Sequence, residues 1–206
     1  MNNYSFLLSN GYAVLLPNPR GSYGYGRKFI EANCHDWGGD DFGDIMSGVD
    51  YLIEEGIADP ERLGIAGWSY GGYMTAWAIT QTSRFKSAVM LAGVSNWMSM
   101  YGTSAIPSFL KLYFEGRPFE DTKGYFHRSP LACIENVQTP TLILHGEDDI
   151  RVPISQSYEF YRGLCDMGLE TQFVIYPREK HQIKERAHQI DLLERVLAWY
   201  DKHLKK

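Results

Sequence analysis

Gly67-Trp68-Ser69-Tyr70-Gly71 fits the Gly-x-Ser-x-Gly turn that presents a serine nucleophile. The pentapeptide carries weight only where a strand runs into it and a helix leaves it, holding the serine exposed on a strained corner. Both flanks are legible. Arg62-Leu63-Gly64-Ile65-Ala66 is a short apolar run bounded by Asp59-Pro60 and Gly67, the pattern of a buried parallel strand. Tyr73-Met74-Thr75-Ala76-Trp77-Ala78-Ile79 is free of Gly and Pro and reads as a buried helix. The glycines beside Ser69 keep side chains out of a crowded turn. Five residues with two free positions also arise by chance in a chain holding 20 glycines, so the flanks decide the reading.

Outward from the turn, strand-like and helix-like runs alternate. Tyr12-Ala13-Val14-Leu15-Leu16 reads as a strand entering the loop Pro17-Asn18-Pro19-Arg20-Gly21-Ser22-Tyr23-Gly24-Tyr25-Gly26. Ile45, Val49, Leu52 and Ile53 form a helical stripe ahead of the strand before Ser69. Ser87–Leu91, Thr141–Leu144 and Gln172–Tyr176 are further strands, and Pro153 opens a helix that Gly168 closes. Leu192, Leu193, Val196, Leu197, Tyr200 and Leu204 share one face of a final helix. Residues 97–128 read as an irregular, aromatic excursion, interrupted by Pro107 and Pro118, that caps or lines a pocket. The alternation predicts an α/β fold, a mostly parallel sheet with helices on both faces, within one domain spanning residues 1–206.

Composition narrows the function classes. A chain of 206 residues suffices for one sizeable domain. The net charge of −5, with acids and bases interspersed, offers no basic face for nucleic acid. No run approaches the ~20 apolar residues of a membrane span, and the start lacks a signal-peptide pattern. Cys34, Cys133 and Cys165 are scattered and odd in number, which points to a reducing, cytoplasmic setting and to small buried residues. No spacing suggests a metal or other cofactor.

A serine hydroxyl needs a base to take its proton and a carboxylate to orient that base. In the α/β-hydrolases, which this alternation and turn resemble, the partners follow in the order Ser, acid, His, on loops after later strands. Glu147, Asp148 and Asp149 follow the Thr141–Leu144 strand, and all three are candidate acids. His181 follows the Gln172–Tyr176 strand. Loops at the carboxyl ends of parallel strands share one rim, so these groups can meet Ser69 there. His145 has the place of a structural residue, His188 and His203 fall in the last helix, and His35 and His127 read as loop residues.

The chain resembles the catalytic domain of the prolyl oligopeptidase family of serine peptidases, nearest its acylaminoacyl-peptidase branch. The resemblance rests on Gly11-Tyr12-Ala13-Val14-Leu15, Asn18-Pro19-Arg20-Gly21-Ser22, Gly67-Trp68-Ser69-Tyr70-Gly71-Gly72-Tyr73, His145-Gly146 with Asp149-x-x-Val152-Pro153, and Tyr176-Pro177 with His181. It implies Asp149 as the acid, leaving Glu147 and Asp148 as solvated charges. It also implies the Tyr70 N–H as an oxyanion donor and Arg151 as a holder of substrate carbonyl, against the alternative of a surface arginine. Trp97, Tyr101, Phe109 and Val152 fall where relatives line a substrate pocket; plain hydrophobic core is the alternative for each. Short peptides or acyl esters are the implied substrates. Carboxylesterase activity is one alternative, and a weakly active or non-catalytic fragment another.

Two departures from the family pattern carry consequences. Lys180 stands where relatives have glycine before the histidine, a cation that would disfavour imidazolium. The strand that gives relatives a second oxyanion donor would lie upstream of Met1, and the β-propeller that restricts substrate size in the family is likewise not expected within residues 1–206. Either the chain is N-terminally short, or a partner such as a second copy covers the sheet edge, or the flanking strands pair directly.

Overall fold

The computed structural model describes residues 4–205. Among them, four parallel strands lie side by side in chain order: β1 (Gly64–Trp68), β2 (Ser87–Leu91), β3 (Thr141–Gly146) and β4 (Thr171–Tyr176). Registers such as Gly67 beside Met90, Leu91 beside Leu144 and Gly146 beside Tyr176 align their carboxyl ends on one rim. The helices are α1 (Tyr4–Ser9), α2 (Arg27–Glu31), α3 (Asp40–Glu54), α4 (Tyr70–Gln81), α5 (Trp97–Thr103), α6 (Pro107–Tyr113), α7 (Thr122–His127), α8 (Ser155–Asp166) and α9 (Arg186–Leu204).

Successive strand residues face opposite sides, and the sequence uses both. Ala88, Met90 and Ile143 pack with Val49 of α3, Ala76 and Ile79 of α4, and Phe160 and Leu164 of α8. Val89, Leu142 and Leu144 point the other way, onto Leu192, Val196, Trp199 and Tyr200 of α9. With both faces covered, continuous apolar strands are the stable choice, which is why Leu142-Ile143-Leu144 is buried throughout. A third cluster includes Trp37, Tyr73, Trp77, Trp97, Phe114, Tyr125 and Val152. No helix among the described residues is long and apolar enough to cross a membrane.

The sheet departs from expectation at Tyr12–Leu16. This segment joins no ladder among the described residues, and β1 pairs with β2 alone. The apolar run is largely exposed: Leu15 and Leu16 are 37% and 52% exposed, and only Tyr12 and Val14 are half-buried. The Tyr12 ring sits 5.9 Å from Tyr200, and its hydroxyl donates to Asp201 Oδ1 at 2.7 Å. Direct pairing of this segment with β1 is thereby excluded. The strand expected from Arg62 starts two residues later, because Asp59 accepts from the Glu61 N–H at 2.9 Å and caps a 3₁₀ turn at Pro60–Arg62.

Residues 97–128 are largely helical rather than irregular. Pro107 begins α6, a position where its missing N–H costs nothing. Asn96 and Asp121 cap α5 and α7 by accepting from backbone N–H groups. His127 closes α7 instead of lying in a loop. All three cysteines are free, but they are not the buried residues expected: Cys34 and Cys133 are half-buried, and Cys165 is exposed.

Candidate active site

β1 runs straight into Ser69, whose φ of 59° and ψ of −116° lie outside the regions L-residues favour. Two backbone bonds hold this corner: Ser69 N–H donates to Leu91 O at 2.9 Å, and Tyr73 N–H to Ser69 O at 2.9 Å. Gly67 is required here, since a Cβ at that position would fall on the Gly71 carbonyl. Tyr70 opens α4, and its N–H has no acceptor among the described residues, as expected for the first turn of a helix.

The phenol of Tyr70 is held from below. It donates to Asp41, a fully buried carboxylate that also accepts from the N–H groups of Gly38 at 2.9 Å and Phe42 at 2.8 Å. Burial pushes the Asp41 carboxyl up, against the pull of these donors. Burial and the nearby Asp41 likewise raise the Tyr70 phenol, so the proton stays on the tyrosine. Sequence reading missed Asp41. Its only signal was an acidic first turn in α3, which many solvated helix starts share.

Beyond β3, the chain folds back so that Asp149 Oδ1 accepts from Arg151 N–H at 2.9 Å and Val152 N–H at 3.0 Å. His145 braces this loop. Its Nε2 lies 2.9 Å from the Val152 carbonyl, which can only accept, so Nε2 carries the proton and Nδ1 accepts from the Ser157 hydroxyl at 2.6 Å. The same Nε2–H is 3.3 Å from Asp149 Oδ2, a longer second contact. Burial alone would raise the Asp149 carboxyl. Hydrogen bonds from His145 and His181, the charge of His181 and the Val152 N–H outweigh it, and the group lies well below the usual carboxylate range.

The loop after β4 brings the third side chain. His181 Nδ1 stands 2.7 Å from Asp149 Oδ2, and Nε2 stands 2.9 Å from Ser69 Oγ. A carboxylate accepts only, so Nδ1 carries the proton and Nε2 is free to accept from the serine hydroxyl. Three residues spread over 112 positions thus form one hydrogen-bonded line on the rim of the sheet. Glu147 and Asp148 point to solvent.

The remaining predicted residues scatter. Arg151 is exposed beside Asp149, while Trp97 and Val152 are sealed inside the aromatic cluster. Tyr101 is half-buried, edge-on to Tyr125, and Phe109 is 42% exposed. Lys180 is exposed. Glu179, Glu185 and His188 bring ligand-type atoms within 4.8 Å of one another, but N–H donors already occupy both oxygens of Glu179.

Residues 1–206 all match the prolyl oligopeptidase family. The chain belongs to that family. It is 44% identical over 208 residues to an uncharacterized peptidase of Bacillus subtilis, YuxL, covering 98% of this chain and 32% of that protein. It is 33% identical over 210 residues to an acylamino-acid-releasing enzyme of Arabidopsis thaliana, covering 98% of this chain and 28% of that protein. The solved structure of uncomplexed Pyrococcus horikoshii acylaminoacyl peptidase superimposes with a TM-score of 0.86 at 36% identity, over 92% of this chain and 32% of that one. The α/β-hydrolase fold expected from the turn is therefore the fold of this prolyl oligopeptidase family member. The chain spans about a third of the length of these relatives.

Proposed function

We propose that residues 1–206 form the catalytic domain of a serine peptidase that cleaves acyl-aminoacyl or oligopeptide bonds. The observation that carries this reading is the line Ser69 Oγ, His181 Nε2, His181 Nδ1, Asp149 Oδ2, with both contacts at hydrogen-bond length. Ser69 Oγ attacks the scissile carbonyl carbon as its proton passes to His181 Nε2. Asp149 keeps the Nδ1–H and steadies the imidazolium. Tyr70 N–H, without another acceptor, is aimed at the developing oxyanion. Collapse breaks the C–N bond, and the leaving amine takes the proton from Nε2. Water then repeats the sequence on the acyl-serine, releasing the acid and restoring Ser69. A second oxyanion donor is part of this proposal, and the open edge of β1 beside Ser69 is where a further strand would bring one. Removing one such donor costs about 10²–10³ in kcat.

The test is turnover of an N-acyl-aminoacyl p-nitroanilide beside a p-nitrophenyl ester of the same acyl group. Release of p-nitroaniline that disappears in Ser69→Ala is the expected result. Hydrolysis of the ester alone favours the carboxylesterase reading, and a folded protein that turns over neither contradicts the proposal.

A further inference from the structure

Glu179 takes no part in the steps above, yet it is a carboxylate only 3% exposed, two residues before His181. Both of its oxygens are engaged. Oε2 accepts from Lys184 N–H at 2.8 Å, and Oε1 accepts from Glu185 N–H at 2.7 Å and from His188 Nδ1 at 3.0 Å. Those donors lie at the entrance to α9, a 19-residue helix whose positive end favours a buried anion. Burial pushes the Glu179 carboxyl up, but the two backbone donors and His188 pull harder and leave it lowered.

The backbone of the same residue faces the other way. The Glu179 carbonyl accepts from Asp148 N–H at 2.8 Å, next door to Asp149. It also lies 2.6 Å from where a Cβ of Gly146 would sit, so the two loops touch backbone to backbone. Other ties on the loop include the exposed pair Arg178–Glu185 and the buried side chain of Ile183. One residue is therefore joined by its side chain to α9 and by its carbonyl to the acid loop, with His181 held between.

We propose that Glu179 is a positioning residue for His181: its carboxylate, anchored on the entrance of α9 and on His188, holds the base loop so that the imidazole stays aligned between Asp149 and Ser69. This rests on His181 being the base. A carboxylate suits the task because it accepts from all three donors at once, whereas an amide of the same shape turns one N–H group onto another.

Glu179→Gln is the test, with Glu147→Gln, an exposed neighbour, as the control. A displacement of about 1 Å at a reacting group can cost about 10²-fold, so kcat is expected to fall by about 10- to 100-fold with KM within about twofold. The downfield proton resonance of His181 Nδ1–H, set by its bond to Asp149, is expected to shift or broaden, and Glu147→Gln is expected to change neither. A folded Glu179→Gln protein with unaltered kcat and an unmoved resonance overturns the proposal. If Glu179→Gln does not fold, His188→Ala removes one donor only. A kcat reduced by about threefold or more at constant KM, with the same resonance displaced, then supports the positioning role, and unchanged values overturn it. Activity of Ser69→Ala separates the two readings. If that variant stays active, the nucleophile assignment fails; if it is inactive while Glu179→Gln matches wild type, only the positioning role fails.

Discussion

Asp149→Asn is expected to lower kcat by about 10⁴-fold while leaving the protein folded and KM nearly unchanged. The reason is proton placement rather than packing. Asp149 uses Oδ1 for the Arg151 and Val152 N–H groups and Oδ2 for His181. In the asparagine variant the oxygen stays with the two backbone donors, and the NH₂ group faces His181. An imidazole beside a donor places its own proton on the other nitrogen, so Nε2–H would point at Ser69 Oγ. The base would then be filled at the moment it must accept. Steady-state kinetics check this, with Asp148→Asn as the control. Asp148 is exposed, and its substitution is expected to change kcat by less than about twofold.

The second large effect concerns the corner itself. A methyl group in Gly72→Ala would sit 2.6 Å from Gly93 Cα and 2.6 Å from the Leu91 carbonyl oxygen, both backbone atoms. From the other side, a Cβ on Gly93 would meet the Gly72 carbonyl carbon at 2.6 Å. The first turn of α4 therefore rests directly on the end of β2, with no side chain between them. Backbone cannot swing aside as a flexible side chain can, so α4 would have to lift from the sheet. Overpacking of this kind costs about 1–3 kcal/mol, and more where backbone must move. For a protein stable by about 5–15 kcal/mol that is a large fraction. Ser69 belongs to the same turn, so activity is expected to fall beyond what stability explains. Urea unfolding of Gly72→Ala beside wild type measures the first effect, and kcat of the folded fraction the second.

Much of the site was legible because its signals are local. The elbow needs a strand, a serine and a helix within about twenty residues, and glycine marks each crowded position. The acidic run Glu147-Asp148-Asp149 and His181 follow from chain order once the strands are placed, since parallel strands deliver their loops to one rim; the family's Asp-x-x-Val-Pro pattern singles out Asp149. What escaped depends on distance through space. Asp41 and Tyr70 are 29 positions apart, and neither type nor spacing announces that one holds the other. Nothing in the sequence sets Glu179 apart from Arg178 and Lys180 beside it; its burial against the entrance of α9 shows only in the fold. At Tyr12–Leu16 the apolar run reads as a strand, yet Leu15 and Leu16 are exposed, and a run of that length cannot say whether a neighbouring strand is present to pair with. Over 97–128, Pro107 reads in sequence as an interruption, whereas in the fold it serves as a helix start.

In the proposed mechanism Ser69 is a nucleophile activated by His181 and oriented through Asp149. Reaction with a fluorophosphonate tests it most directly, because the probe forms a stable bond to an activated serine and needs no knowledge of the substrate. The expected result is a single adduct per chain, mapped by mass spectrometry to the peptide holding Ser69, absent in Ser69→Ala and formed far more slowly in His181→Ala. A folded wild-type protein that stays unlabelled, or an adduct that persists in Ser69→Ala, would contradict it.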